Sequence, residues 1–324
     1  DPKIEESRDI SVTIDKSKWG TLGAHDPSIF KDKDTYYVFS TDARVGGNAT
    51  PAIQIRKSKD LINWEFLNIM ATSSVKENLG FMWECPNFAK VDGQDVFIFS
   101  PQGVKPEGNK YLNLHQSGYM LGKLDYETGV FQHGEFDLLD FGFDFYAPQI
   151  MQAPDGRCIM IGWLDMWESE MPEQADGWAG MMSVPRELHI RGERLLTPPA
   201  KELIQLRGEG HSIEHCIFKE AGQLVESREA GSELILDISL KTDTAFSLVL
   251  RSSEQGKIVF TYDNCTGRCC LNREYVGHRM NGERETLIPI QDNLNLRIFF
   301  DRSSIEIFIN DGEAVFSTRA YINN

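Results

Sequence analysis

The chain has 324 residues, 41% of them hydrophobic, enough to bury a core as one large or two ordinary domains. Its 49 acidic against 33 basic side chains leave a formal charge of −16. That field repels nucleic-acid phosphates and anionic lipid and suits neutral ligands better, so neither a nucleic-acid nor a membrane partner is expected.

No stretch approaches the roughly 20 apolar residues of a membrane span, and the polar start from Asp1 to Asp9 lacks a signal-peptide apolar segment. Six cysteines (Cys85, Cys158, Cys216, Cys265, Cys269, Cys270) are too thinly spread for a disulfide scaffold. A reducing, cytoplasmic setting is the expectation. Cys265, Cys269 and Cys270 have no second CxxC or HxxxH at ligand spacing, so no metal is expected.

In chain order, short alternating or apolar runs rich in aromatic and β-branched residues recur, and helical periodicity is nearly absent. Strand cores are predicted at Tyr36–Phe39, Ala52–Ile55, Asp95–Phe99, Gly118–Leu121, Cys158–Ile161 and Met181–Val184. Turns fall at Asp92-Gly93, Thr128-Gly129 and Pro154-Asp155-Gly156. His25-Asp26-Pro27, Glu84-Cys85-Pro86 and Tyr146-Ala147-Pro148 each open a similar unit, as successive propeller blades would. After Gly208-Glu209-Gly210 the strands become evenly spaced and amphipathic, from Glu233–Leu240 to Ser304–Phe308, with a hairpin turn at Asn310-Asp311-Gly312. The chain therefore reads as all-β: a β-propeller over residues 1–207, then a β-sandwich over 208–324.

Glycoside hydrolysis needs a protonated carboxyl beside the leaving oxygen and an ionised carboxylate across the sugar. Glu84, between Trp83 and Cys85-Pro86, has the apolar neighbourhood that suits the acid; its bland reading is a strand-edge Glu. Asp26 before Pro27 suits the opposing carboxylate or, equally, an ordinary turn. Asp144, pinned in Phe143-Asp144-Phe145-Tyr146, has the chemistry to bond sugar hydroxyls or to cap a turn. Trp83, Tyr146, Trp163 and Trp178 offer sugar-stacking faces, with core packing as the alternative for each. His25 reads as an orienting neighbour of Asp26 or a structural histidine.

From Gly80 onward the chain resembles bacterial glycoside hydrolase family 32, the β-fructofuranosidases. The resemblance rests on Met82-Trp83-Glu84-Cys85-Pro86, Phe99-Ser100-Pro101-Gln102-Gly103, Asp144-Phe145-Tyr146-Ala147-Pro148-Gln149, Ile161-Gly162-Trp163, Trp178-Ala179-Gly180, Pro185-Arg186-Glu187-Leu188 and the segment Phe300–Phe308. It implies a five-bladed propeller joined to a sandwich, with Glu84 as acid/base of a retaining mechanism and no cofactor. Gln102 and Glu187, with Asp144, Trp83, Tyr146, Trp163 and His25, are the substrate-binding candidates. The family's nucleophile motif, Trp-Met-Asn-Asp-Pro-Asn-Gly, occurs nowhere in this sequence. Asp26-Pro27 matches the family's Arg-Asp-Pro, with His25 in place of Arg.

Residues 24–67 look like the first blade of family 43, in which the Asp of His-Asp-Pro-Ser is a general base. At about 40 to 50 residues per blade, 207 residues make four to five blades. The expected activity is cleavage of β-fructosidic bonds in sucrose, sucrose 6-phosphate or fructans. The alternatives are a family 43-like arabinan or xylan hydrolase, and a non-catalytic sugar-binding protein.

Overall fold

The computed structural model describes residues 24–42, 51–73, 77–214, 216–217, 222–224, 231–254, 256–274 and 281–321. Within them the chain is almost entirely β, relieved by the short 3-10 helices Pro172–Asp176 and Lys201–Leu206. Strands β1 (Ala24–Asp32), β2 (Thr35–Asp42), β3 (Ala52–Ser58) and β4 (Glu65–Thr72) form one antiparallel meander. A second comprises β5 (Met82–Val91), β6 (Gln94–Gln102), β7 (Gly118–Leu124) and β8 (Phe131–His133), with β9 (Asp137–Leu138) also on β7. A third sheet joins β10 (Tyr146–Gln152), β11 (Cys158–Trp163) and β12 (Arg186–Glu187), and β13 (His189–Arg191) pairs with β14 (Arg194–Leu196).

Strand β6 shows how these sheets stack. Successive residues of a strand point to opposite faces. Phe97 and Phe99 pack with Phe39, Ile55 and Phe88, whereas Val96 and Ile98 pack with Met160, Leu164 and Leu188. The second sheet is therefore covered on one face by the first and on the other by the third. Its entry turn follows from local chemistry: Asp92 and Gly93 have φ of 49° and 85°, the pair of left-handed residues that a two-residue hairpin requires.

The second half holds two four-stranded antiparallel sheets. One has the order β15 (Ser232–Ser239), β20 (Asn293–Phe300), β21 (Ser304–Ile309), β22 (Ala314–Arg319). The other runs β16 (Ala245–Ser253), β17 (Gly256–Asp263), β18 (Arg268–Glu274), β19 (Gly282–Leu287). Alternation aims Ile258, Phe260 and Tyr262 of β17 at Leu294, Leu296 and Ile298 of β20, and the two sheets share one apolar cluster. Asn310, Asp311 and Gly312, at φ of 48°, 58° and 79°, turn the last hairpin.

Phe143, from the first half, belongs to that same cluster. Around it three buried arginines tie the halves together. Arg186 Nη2 bonds Asp140 at 2.9 Å, Glu306 at 3.0 Å and Ser317 at 2.8 Å. Arg273 Nη1 meets Asp144 at 2.5 Å, and Arg319 Nη2 meets Glu173 at 2.6 Å. Burial pushes the carboxyls of Asp140 and Glu306 up, opposed by Arg186.

Candidate active site

The three residue triplets singled out in the sequence share one backbone device. Asp26, Cys85 and Ala147, each immediately before a proline, have φ of 51°, 49° and 49°. Left-handed backbone is uncommon for non-glycine residues, and a following proline narrows the choice further. At all three the strand register slips, between His25 and Ser28, Glu84 and Asn87, and Tyr146 and Gln149. Each is a β-bulge at the start of the first strand of a sheet.

The bulges bring Asp26, Glu84 and Tyr146 together. The Tyr146 hydroxyl donates to Glu84 Oε2 at 2.9 Å. Burial raises the Tyr146 phenol strongly, a Gln102 side-chain hydrogen bond opposes that rise, and the Glu84 charge adds to it. The phenol is thus a permanent donor to the carboxyl. On the other flank, Asp26 Oδ2 accepts the Cys85 amide at 3.1 Å, placing its carboxylate beside the peptide that follows Glu84. The Cys85 thiol is pushed up to about 12 by burial and by the charges of Asp26 and Glu84, so it is no nucleophile at neutral pH. Glu84 is half-buried and Asp26 is exposed: a carboxyl is held by a phenol, and a second acid is bonded to the peptide next to it.

Four other candidates divide sharply. Gln102, at the end of β6, supports Tyr146, and His25 lies exposed at the start of β1. Trp163 is half-buried on β11, directly paired with Tyr146. Trp83 corrects the expectation of a stacking face: it is fully buried against Phe97 and Phe99, and its Nε1 donates to the Leu79 carbonyl at 2.9 Å. As the strand neighbour of Glu84, its side chain points to the opposite face.

Asp144 and Glu187 are also corrected. Asp144 is fully buried, paired with Arg273 and accepting the Arg319 amide at 2.7 Å, so it joins the two halves instead of meeting a ligand. Glu187 is buried too; it accepts from Arg157 at 2.6 Å and from the Lys201 amide at 3.0 Å.

His115 and Glu168 escaped the sequence reading. The His115 ring lies 5.9 Å from that of Tyr146, and His115 bridges Gln102. Burial lowers its affinity for a proton, while the Leu114 backbone, Glu84 and Glu168 act the other way. Its one available signal was position, in the segment that returns beside Gln102. Glu168 stands at φ 61°, a conformation no sequence motif announces. Cys270, Glu283 and Glu285 gather ligand atoms within 4.8 Å, but Arg268 ion-pairs with both carboxylates, a poor fit to a metal.

Comparison with known proteins places this arrangement. Residues 3–199 match the glycosyl hydrolases family 32 N-terminal domain, and 202–324 match the family 32 C-terminal domain. The first match includes residues 24–67, so the segment likened to family 43 lies within family 32. A sucrose-6-phosphate hydrolase of Escherichia coli is 39% identical, over 93% of this chain and 62% of its own length. A raffinose invertase of Escherichia coli is 34% identical over the same shares. Among solved structures, a Bombyx mori family 32 beta-fructofuranosidase superposes with a TM-score of 0.78 at 34% identity, covering 93% of this chain and 61% of that one. The chain thus spans about three-fifths of the length of these relatives. With residues 3–199 and 202–324 matching the two family domains and the Glu84 site built on the segments that carry the likeness, the chain belongs to glycosyl hydrolases family 32.

Proposed function

We propose that this chain carries the acid-base part of a β-fructosidase that hydrolyses sucrose-type sugars. Glu84 protonates the glycosidic oxygen as the bond breaks and then draws a proton from the incoming water. Asp26 supplies negative charge opposite the oxocarbenium-like centre, and Tyr146 fixes the Glu84 carboxyl. The observation that carries this reading is the Tyr146–Glu84 hydrogen bond with Asp26 lodged against the very next peptide. The partner is a small sugar, a reading supported by relatives that are a sucrose-6-phosphate hydrolase and a raffinose invertase.

The finer architecture belongs to the same proposal. It comprises a propeller of the five-bladed type, with four to five blades over residues 1–207, supported by the stacked sheets of β1 to β12, and a sandwich over 208–324, supported by the two sheets around one core. A reducing, cytoplasmic setting belongs to the same proposal, on the thin spread of the six cysteines along the sequence.

The test is fructose release from sucrose, raffinose and sucrose 6-phosphate by the wild-type chain and Glu84→Gln. The expected result is turnover in the wild type and none above background in the variant, with unchanged circular dichroism. Equal turnover in both removes Glu84 from the mechanism. Calorimetric sugar binding without turnover in the wild type supports instead a binding role.

A further inference from the structure

The sheet register leads outward from Glu84 along a row of apolar side chains. Tyr146 pairs with Trp163, and Trp163 bridges Met182. Directly opposed residues of antiparallel strands project to the same face, so these three share the face that reaches Glu84 through the Tyr146 hydroxyl. Exposure grows along the row, from 1% at Tyr146 through half-buried Trp163 to 58% at Met182. Trp167 extends it: its ring stands 6.3 Å from that of Trp163 at 79°, and half of its surface is open. An indole braced edge-on by a neighbour keeps a flat apolar face toward solvent at low conformational cost, which is what stacking on a sugar ring requires.

The row lies on one flank of Glu84 only. Asp26 meets the opposite flank, at the Cys85 amide. In the hydrolase reading, on which this inference rests, the sugar facing Asp26 is the one that keeps the developing positive charge. The departing sugar therefore lies toward Tyr146 and Trp163.

We propose that Trp167, braced by Trp163, is a stacking platform for sugar units beyond the scissile bond, which makes fructo-oligosaccharides longer than a disaccharide the favoured substrates. The experiment compares KM and Kd for sucrose, sucrose 6-phosphate and an inulin-type tetrasaccharide in the wild type, Trp167→Ala and Trp167→Phe. In Trp167→Ala the tetrasaccharide-to-sucrose ratio of KM, and of Kd, rises about five- to tenfold; Trp167→Phe recovers at least half of that change. An unchanged ratio, or equal losses for both sugars, overturns the platform. A wild-type chain that hydrolyses none of these sugars, yet binds the tetrasaccharide with the same Trp167 dependence, overturns the hydrolase reading and supports the platform. Hydrolysis of all three with an unchanged ratio has the opposite meaning.

Discussion

Replacing Asp144 by alanine separates a ligand residue from a structural one. Its carboxylate is fully buried, 2.5 Å from Arg273 Nη1 and 2.7 Å from the Arg319 amide. Arg273 is itself fully buried, and its guanidinium stacks 4.1 Å from the Phe143 ring centroid. Asp144→Ala leaves that cation uncompensated, a loss of about 3–5 kcal/mol. The Arg319 amide bond involves the same carboxylate and is already contained in that figure. With a urea m-value of about 2 kcal/mol/M, the unfolding midpoint drops by about 1.5–2.5 M. Asp144→Leu combined with Arg273→Met removes both charges and recovers most of the loss, because an apolar pair of similar volume replaces an ion pair at little cost. A midpoint within about 0.3 M of the wild type in Asp144→Ala, together with lost sugar binding, would refute the structural role and restore Asp144 to the ligand set.

Two further outcomes follow from the site and its surroundings. Tyr146→Phe deletes the 2.9 Å bond to Glu84; a hydrogen bond to a charged group is worth about 1.5–3 kcal/mol, so kcat/KM falls on the order of 10- to 100-fold, and an unchanged value removes Tyr146 from the machinery. Asp165 is pushed up to about 6 by burial, against the opposing Met166 amide. Its folded-state value lies above the ordinary 3.8, so the proton-linked stabilisation is full below that pH and is lost as pH rises through about 6. Asp165→Asn removes this decline; melting temperatures measured from pH 4 to 8 should then diverge in favour of the variant at the upper end, and parallel curves would contradict the assignment.

What the sequence disclosed depended on the range of the interaction concerned. The turns at Asp92-Gly93 and Asn310-Asp311-Gly312 were readable because left-handed φ is a property of a residue and its immediate neighbours. The three proline triplets were readable for the same reason. The role of Asp144 is not legible locally because its partner Arg273 lies 129 positions away in the other half, and nothing in the neighbouring sequence distinguishes a buried acid with a distant cation from one awaiting a sugar. Trp83 is a different case: strand alternation forbids it and Glu84 from sharing a face, so its place next to the acid in sequence argues for core packing over a sugar-stacking face. His115 and Trp167 carry no motif; only the return of the chain beside Gln102 and the packing on Trp163 give them a place.

The bulges explain why the acids come from the starts of strands. Pairing runs Glu84 with Ser100 and resumes at Asn87 with Ile98, so β5 spends one residue more than β6 between those rungs. The ladder is interrupted immediately after Glu84, which frees the Cys85 amide and carbonyl from regular pairing. Both are taken up, the amide by Asp26 from the preceding sheet and the carbonyl by Asn87 Nδ2 at 2.9 Å. The same Asn87 amide group reaches the Pro148 carbonyl of the next sheet at 2.9 Å, and Asn87 Oδ1 accepts the Ile150 amide at 3.2 Å. Left-handed backbone at Cys85 costs about 1–3 kcal/mol, offset by hydrogen bonds that regular pairing would not have released. Those bonds register three sheets against one another at the point where Glu84 projects, so strain and alignment of the acid have a single origin.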